Sequence, residues 1–104
     1  MIKDQPADLA YAPASYPRHR YTGRGTIVDV YVGSRLVGHL TRQGDAVGWD
    51  GAPPPGSAEA VVSQMIIDAL RLGASSGRPL DDTWKMILDM VSHEDPREGD
   101  LAIW

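Results

Sequence analysis

Between Thr26 and Asp50 the chain alternates short apolar runs with glycine-plus-polar pairs. "TIVDVYV" is followed by Gly33-Ser34, "RLVGHLTRQ" by Gly44-Asp45, and "AVGWD" closes the series. β-Branched and aromatic residues favour the pleated, half-buried surface of a strand. A two-residue loop with a glycine suits the positive φ of a tight hairpin. The pattern predicts strands over residues 25–32, 35–43 and 46–50, joined as an antiparallel meander.

Two-residue loops also dictate which side chains meet. Gly33-Ser34 sets Tyr31 opposite Leu36, Val30 opposite Val37, Val28 opposite His39 and Ile27 opposite Leu40. Gly44-Asp45 sets Leu40 opposite Trp49, His39 opposite Asp50 and Arg42 opposite Val47. One face then holds Ile27, Tyr31, Leu36, Leu40, Val47 and Trp49, the bulkier set and the expected core. The other holds Val28, Val30, Val32, Val37, His39, Thr41 and Asp50. A sheet with one wet side should alternate apolar and polar residues, so four valines on the second face invite cover by the same chain or by a partner.

After the stiff connector "GAPPPG", Ser57 suits a helix N-cap and Glu59 a first turn. Ala58, Val61, Val62, Met65, Ile66, Ala69 and Leu72 recur at helical spacing and form the expected buried stripe. Gly73 fits the residue just past the helix end, and Ile67 falls on the polar side. A second helix is expected over residues 80–92, with Leu80, Trp84, Ile87, Leu88 and Val91 inward and Lys85 placed to pair with Asp81 and Asp89. "HEDPREGD" ends it at Pro96, and "LAIW" reads as a frayed end or a short C-terminal strand. The expected architecture is α+β: a three-stranded antiparallel meander followed by two helices on one face.

The first 24 residues break this order. Pro6, Pro13 and Pro17 oppose regular structure, and Tyr11, Tyr16 and Tyr21 recur at five-residue intervals that fit neither helix nor strand. They read as a flexible arm on a single domain spanning residues 25–104, and 104 residues leave little room for a second domain.

The chain carries 10 Lys+Arg against 14 Asp+Glu, a net charge of -4. That opposes a general nucleic-acid or anionic-membrane binder. Arginine far outnumbers lysine, in keeping with a GC-rich genome. There is no cysteine, which removes disulfides, thiolate metal sites and thiol nucleophiles. No apolar block suits a signal peptide or a membrane span, so a cytoplasmic protein is expected.

Chemical signatures are sparse. The sequence lacks the nucleophile-elbow, P-loop and helical zinc-protease motifs. His39 with Asp50 is the best acid–base pair, and its plainer reading is a cross-strand polar contact. His93, Glu94 and Asp95 are adjacent and cannot all turn to one ion without distortion. His19 has no identifiable partner. No catalytic residue, metal site or cofactor is assigned.

The expectation is a small non-enzymatic protein-binding module of inhibitor, adaptor or immunity type, binding another protein or a second copy of itself. Its contact residues would be Val28, Val30, Val32, Val37, Ile67 and Trp104. The alternative is a nucleic-acid-binding regulator using Arg18, Arg20 and Arg24 of the arm with Arg35 of the sheet. Double-stranded-RNA-binding domains also follow a meander with a helix, but "GSAEAVVSQ" lacks the basic residues that such a helix would need.

Overall fold

The computed structural model describes residues 15–18 and 23–101. Strands β1 (Arg24–Val32), β2 (Arg35–Gln43) and β3 (Ala46–Asp50) form the antiparallel meander. Helices α1 (Ala58–Ser75) and α2 (Leu80–Met90) follow, then two short strands, β4 (Ser92–His93) and β5 (Arg97–Asp100). The sheet order is β3-β2-β1-β4, with β5 also pairing to β1. Both helices pack on one face of the sheet, giving the α+β architecture read from the sequence.

Both hairpin loops form as expected. Val32 faces Arg35 and Gln43 faces Ala46, with φ of +60° at Gly33 and at Gly44. The β2–β3 register also matches: Leu40 faces Trp49, His39 faces Asp50 and Arg42 faces Val47.

The β1–β2 register does not match. Tyr31 faces Leu36 as expected, but the next pairs are Val30 with Gly38, Asp29 with His39 and Val28 with Leu40. A β-bulge inserts one extra residue, Val37, and flips the face presented by the rest of β1. Gly38, next to the bulge, lies tightly against the end of β3 and the connector after it. A Cβ at that position would press on the Asp50 carbonyl oxygen and lie 2.8 Å from Gly51 Cα. The strand can follow this path only without a side chain.

The consequence reverses half of the expected core. Val28, Val30 and Val37 are buried with Leu40, Val47, Ile66, Leu80, Trp84 and Ile87, and Val32 packs half-buried against them. Leu36, expected inside, is exposed. The four valines are therefore covered by the chain's own helices and offer no sheet surface to a partner.

The first helix is turned from its expected orientation. It buries Glu59, Ser63, Ile66, Ala69 and Gly73 and leaves Ala58, Val61, Met65 and Leu72 outside. Apolar residues cover so much of its circumference that spacing alone leaves the rotation open by about one residue, or 100°. Tertiary partners decide it. Ser63 Oγ accepts the Trp49 indole N–H at 3.0 Å, Glu59 meets Arg35 at 3.6 Å, and Gly73 makes room for Thr83 and the Tyr16 hydroxyl.

Ser57 caps the helix as expected, its hydroxyl accepting from Ala60 N at 3.1 Å. Gly73 is not the terminating glycine. The helix runs on to Ser75, and Gly77 adopts φ +71°. Arg78 N and Gly77 N then bond back to the carbonyls of Gly73 and Ala74, closing the end as a Schellman motif.

The second helix presents its expected stripe, with Leu80, Trp84 and Ile87 buried and Leu88 half-buried against the core. Its Asp81, expected to pair with Lys85, instead bonds Arg42, whose guanidinium stacks 5.6 Å from the Trp84 ring. The extra strands come from the segment expected to be a break, and of "LAIW" only Leu101 lies among the described residues. Leu101 is buried beside Gly25, and Trp104 lies outside the described residues.

Part of the arm also belongs to the fold. Val47 N donates to Pro17 O at 2.9 Å at the β3 edge. The Tyr16 hydroxyl donates to Arg78 O at 2.7 Å and lies 2.6 Å from Thr83 Oγ1. These contacts tie the strand edge to the loop between the helices.

Candidate functional site

Two features stand out once the core is accounted for. The first is a charged cluster on the sheet face away from the helices. Asp29 comes from the middle of β1, His39 from β2 and Arg97 from β5. One Asp29 carboxylate oxygen accepts from His39 Nδ1 and the other from Arg97 Nη1, each at 2.7 Å. The Asp29 backbone carbonyl accepts from Glu94 N at 3.0 Å. Burial pushes the Asp29 carboxyl up, but the hydrogen bonds from Arg97 and His39 and their charges outweigh it and hold it below the ordinary aspartate range.

A carboxylate that orients an imidazole is half of an acid–base pair. Here its other oxygen is taken by a guanidinium, and all three partners come from strands the contact holds together. The geometry is that of a clasp across β2, β1 and β5. His39 lies across from Asp50 in the β2–β3 register, as expected, but its imidazole turns to Asp29. Thr26 Oγ1 adds a neighbouring bond to Glu98 Oε2 at 2.7 Å, which also holds β5.

The other polar candidates do not assemble. His93 Nδ1 engages the backbone carbonyl of Glu94 at 2.8 Å, at the rim of an open depression beside Tyr31 and Ser92. Among the described residues no three His, Asp or Glu side chains converge as metal ligands would. His19 and Arg20 lie outside the described residues. Arg18 is exposed, Arg24 opens β1, and Arg35, the first residue of β2, pairs with Val32 at the far end of β1. That strand has nine residues, so the two arginines are separated by about 26 Å along it. Arg35 is also engaged by Glu59, and Arg24 and Arg35 form no shared patch.

The second feature is the outer surface of α1. Val61 is 61% exposed, Met65 40% and Leu72 63%. All three lie on one line along the helix, with Ala58, Asp68 and Ser75 completing the row. Asp68 accepts from Gln64 Nε2 at 2.9 Å within the helix. Three large apolar side chains on the surface of one helix, while a serine and a glutamate of that helix are buried, invert the usual distribution.

Sequence reasoning missed this surface because it placed Val61, Met65 and Leu72 in the core. Ile67, its candidate on this helix, is half-buried. A signal was nevertheless present. Ser63 and Glu59 occupy the side facing Trp49 and Arg35, and these are natural partners for an indole N–H and a guanidinium.

Among the described residues no helix is long and apolar enough to cross a membrane. No protein-family model matches the chain, and no curated protein or solved structure shows significant similarity to it.

Proposed function

We propose that the protein is a small, non-enzymatic, cytoplasmic protein-binding module that associates with a second copy of itself through the outer face of α1. One observation carries the reading: α1 buries Glu59, Ser63 and Gly73 while Val61, Met65 and Leu72 face outward. Exposed apolar side chains clustered on one helix face of a small domain are a feature of interaction surfaces.

Two properties of the row favour a second copy as its occupant. Residues 58, 61, 65, 68, 72 and 75 follow the alternating three- and four-residue spacing of a helix–helix seam. A copy of the same row supplies the matching apolar side chains without any further specialisation. The 18 residues of α1 extend about 27 Å, and a strip of that length and one helix width is smaller than the ~800 Å² per partner of a standard interface. The association should therefore be weak and reversible, with a midpoint at micromolar concentration or above.

Light scattering over a concentration series tests the reading. The wild-type mass should rise from monomer towards dimer as concentration increases. Met65→Glu should stay monomeric throughout, with an unchanged circular dichroism spectrum. A wild-type mass fixed at the monomer value up to millimolar concentration would remove self-association.

A further inference from the structure

We infer that residues 92–101 form a strap that opens as a unit while the meander and both helices stay folded, and that the bond between Arg97 and Asp29 holds it shut. Opening bares the outer edge of β1, so the strap is a removable cover on a strongly strand-forming segment.

Three observations set this segment apart from the rest of the fold. Its strands β4 and β5 pair with β1 alone. From Ser92 to Leu101 the one buried side chain is Leu101, while Arg97, Glu98 and Asp100 are exposed. Neither Leu101 nor Ile27, the buried residue across from Arg97, belongs to the cluster closed by the helices. Elements with few buried apolar contacts open at less cost than core strands. By contrast, β1 contains "TIVDVYV", a composition that pairs readily. Left unpaired, an edge of that kind is a template for another strand.

The strap is held at two points. At its end Leu101 lies over Gly25, and its N–H donates to the Gly23 carbonyl at 2.8 Å. Nearer its middle Arg97 donates to Asp29 at 2.7 Å, and Glu98 accepts from Thr26 beside it. The contact between Asp29 and His39 lies within the meander and survives opening. Of the three clasp residues, Arg97 is the one that leaves with the strap.

The backbone of β1 supplies the reporters. The N–H and C=O of one strand residue point to the same side, and successive residues alternate. Gly23 and Asp29 offer their carbonyls to the strap. The amides of Ile27 and Asp29 therefore face it, and those of Thr26 and Val28 face β2.

Amide hydrogen exchange of the full chain in dilute solution, resolved by NMR, tests the inference. Ile27 and Asp29 should exchange at least tenfold faster than Val28. Ile87 is fully buried in the helix-covered core, so Ile87→Val should speed Val28 exchange about two- to tenfold. It should leave Ile27 and Asp29 unchanged, because the open state keeps that core. Arg97→Ala should speed Ile27 and Asp29 about fivefold.

Equal acceleration of Ile27, Asp29 and Val28 by Ile87→Val would mean that the strap opens only when the whole domain unfolds, and would overturn the inference. Unchanged Ile27 and Asp29 exchange in Arg97→Ala would remove Arg97 as the contact that holds the strap.

Discussion

The two hairpins of the meander use the same kind of loop and yet place their side chains differently. Each turns through a glycine at φ +60° followed by a polar residue. In the β2–β3 hairpin the register set by the loop persists to His39 and Asp50. In the β1–β2 hairpin it lasts for two pairs, and then the bulge at Val37 carries β1 over to the opposite face. A loop fixes the start of a register, and the closest backbone approach along the strands determines whether it survives. Gly38 marks that approach.

The strongest test of the difference is a matched pair of charges. Val30→Asp should prevent folding, because Val30 is fully buried and an unpaired carboxylate there costs on the order of 4 kcal/mol or more. Leu36→Asp, which an unbroken hairpin register would place in the core, should shift stability by about 1 kcal/mol or less. Urea unfolding followed by tryptophan fluorescence distinguishes them. The reverse order, with Val30→Asp tolerated and Leu36→Asp unfolding the domain, would mean that the bulge is absent.

A smaller effect is expected from the glycines themselves. Gly38→Ala should cost about 2–3 kcal/mol through the clash with Asp50 and Gly51. Gly44→Ala, in the unbulged hairpin, should cost about 1 kcal/mol for its positive φ alone, since nothing lies within 4 Å of a Cβ there. Chemical denaturation midpoints of the two variants give the ordering directly.

The bulge also brings Asp29 opposite His39, so the clasp depends on it. Asp29→Asn should cost about 1–2 kcal/mol, discounted for the half-exposed Arg97. Because the folded-state value of Asp29 is depressed, its stabilisation is complete above the ordinary aspartate value of about 3.9 and is lost as pH falls through the lower folded-state value. The stability gap between wild type and Asp29→Asn should therefore be constant near neutrality and shrink in acid. A gap that widened on acidification would contradict the clasp.

Much of this architecture could be read before any coordinates. Gly33-Ser34, Gly44-Asp45 and Ser57 do what local chemistry demands, because loop and cap energetics are local. The bulge was signalled by a glycine inside the apolar run "RLVGHL", a position where glycine usually marks close approach, but its partner, the connector after Asp50, is remote in sequence. The rotation of α1 was not readable from spacing, since Val61 and Val62, or Met65 and Ile66, fit an inward stripe equally well. Trp49 and Arg35 resolved the tie through Ser63 and Glu59. Strands β4 and β5 carry "SH" and "REGD", which have no β-propensity of their own, and they form because β1 offers an edge that needs pairing. The Asp29–His39–Arg97 clasp depends on both the bulge and β5, so neither hairpin loop could announce it. The expectation of a protein-binding module persists as a proposal, but its surface has moved from the sheet to the helix.

The central claim is that, among the described residues, three of the five exposed large apolar side chains lie in one row on α1, while Val28, Val30 and Val37 of the sheet are internal. Methyl NMR with a water-soluble paramagnetic agent tests it most directly. In dilute solution the signals of Val61, Met65 and Leu72 should be strongly broadened, while those of Val28, Val30 and Val37 stay sharp. Raising the protein concentration should protect the first group and leave the second unchanged. Broadening of the sheet valines at either concentration, or no protection of the helix methyls at the higher one, would contradict the account.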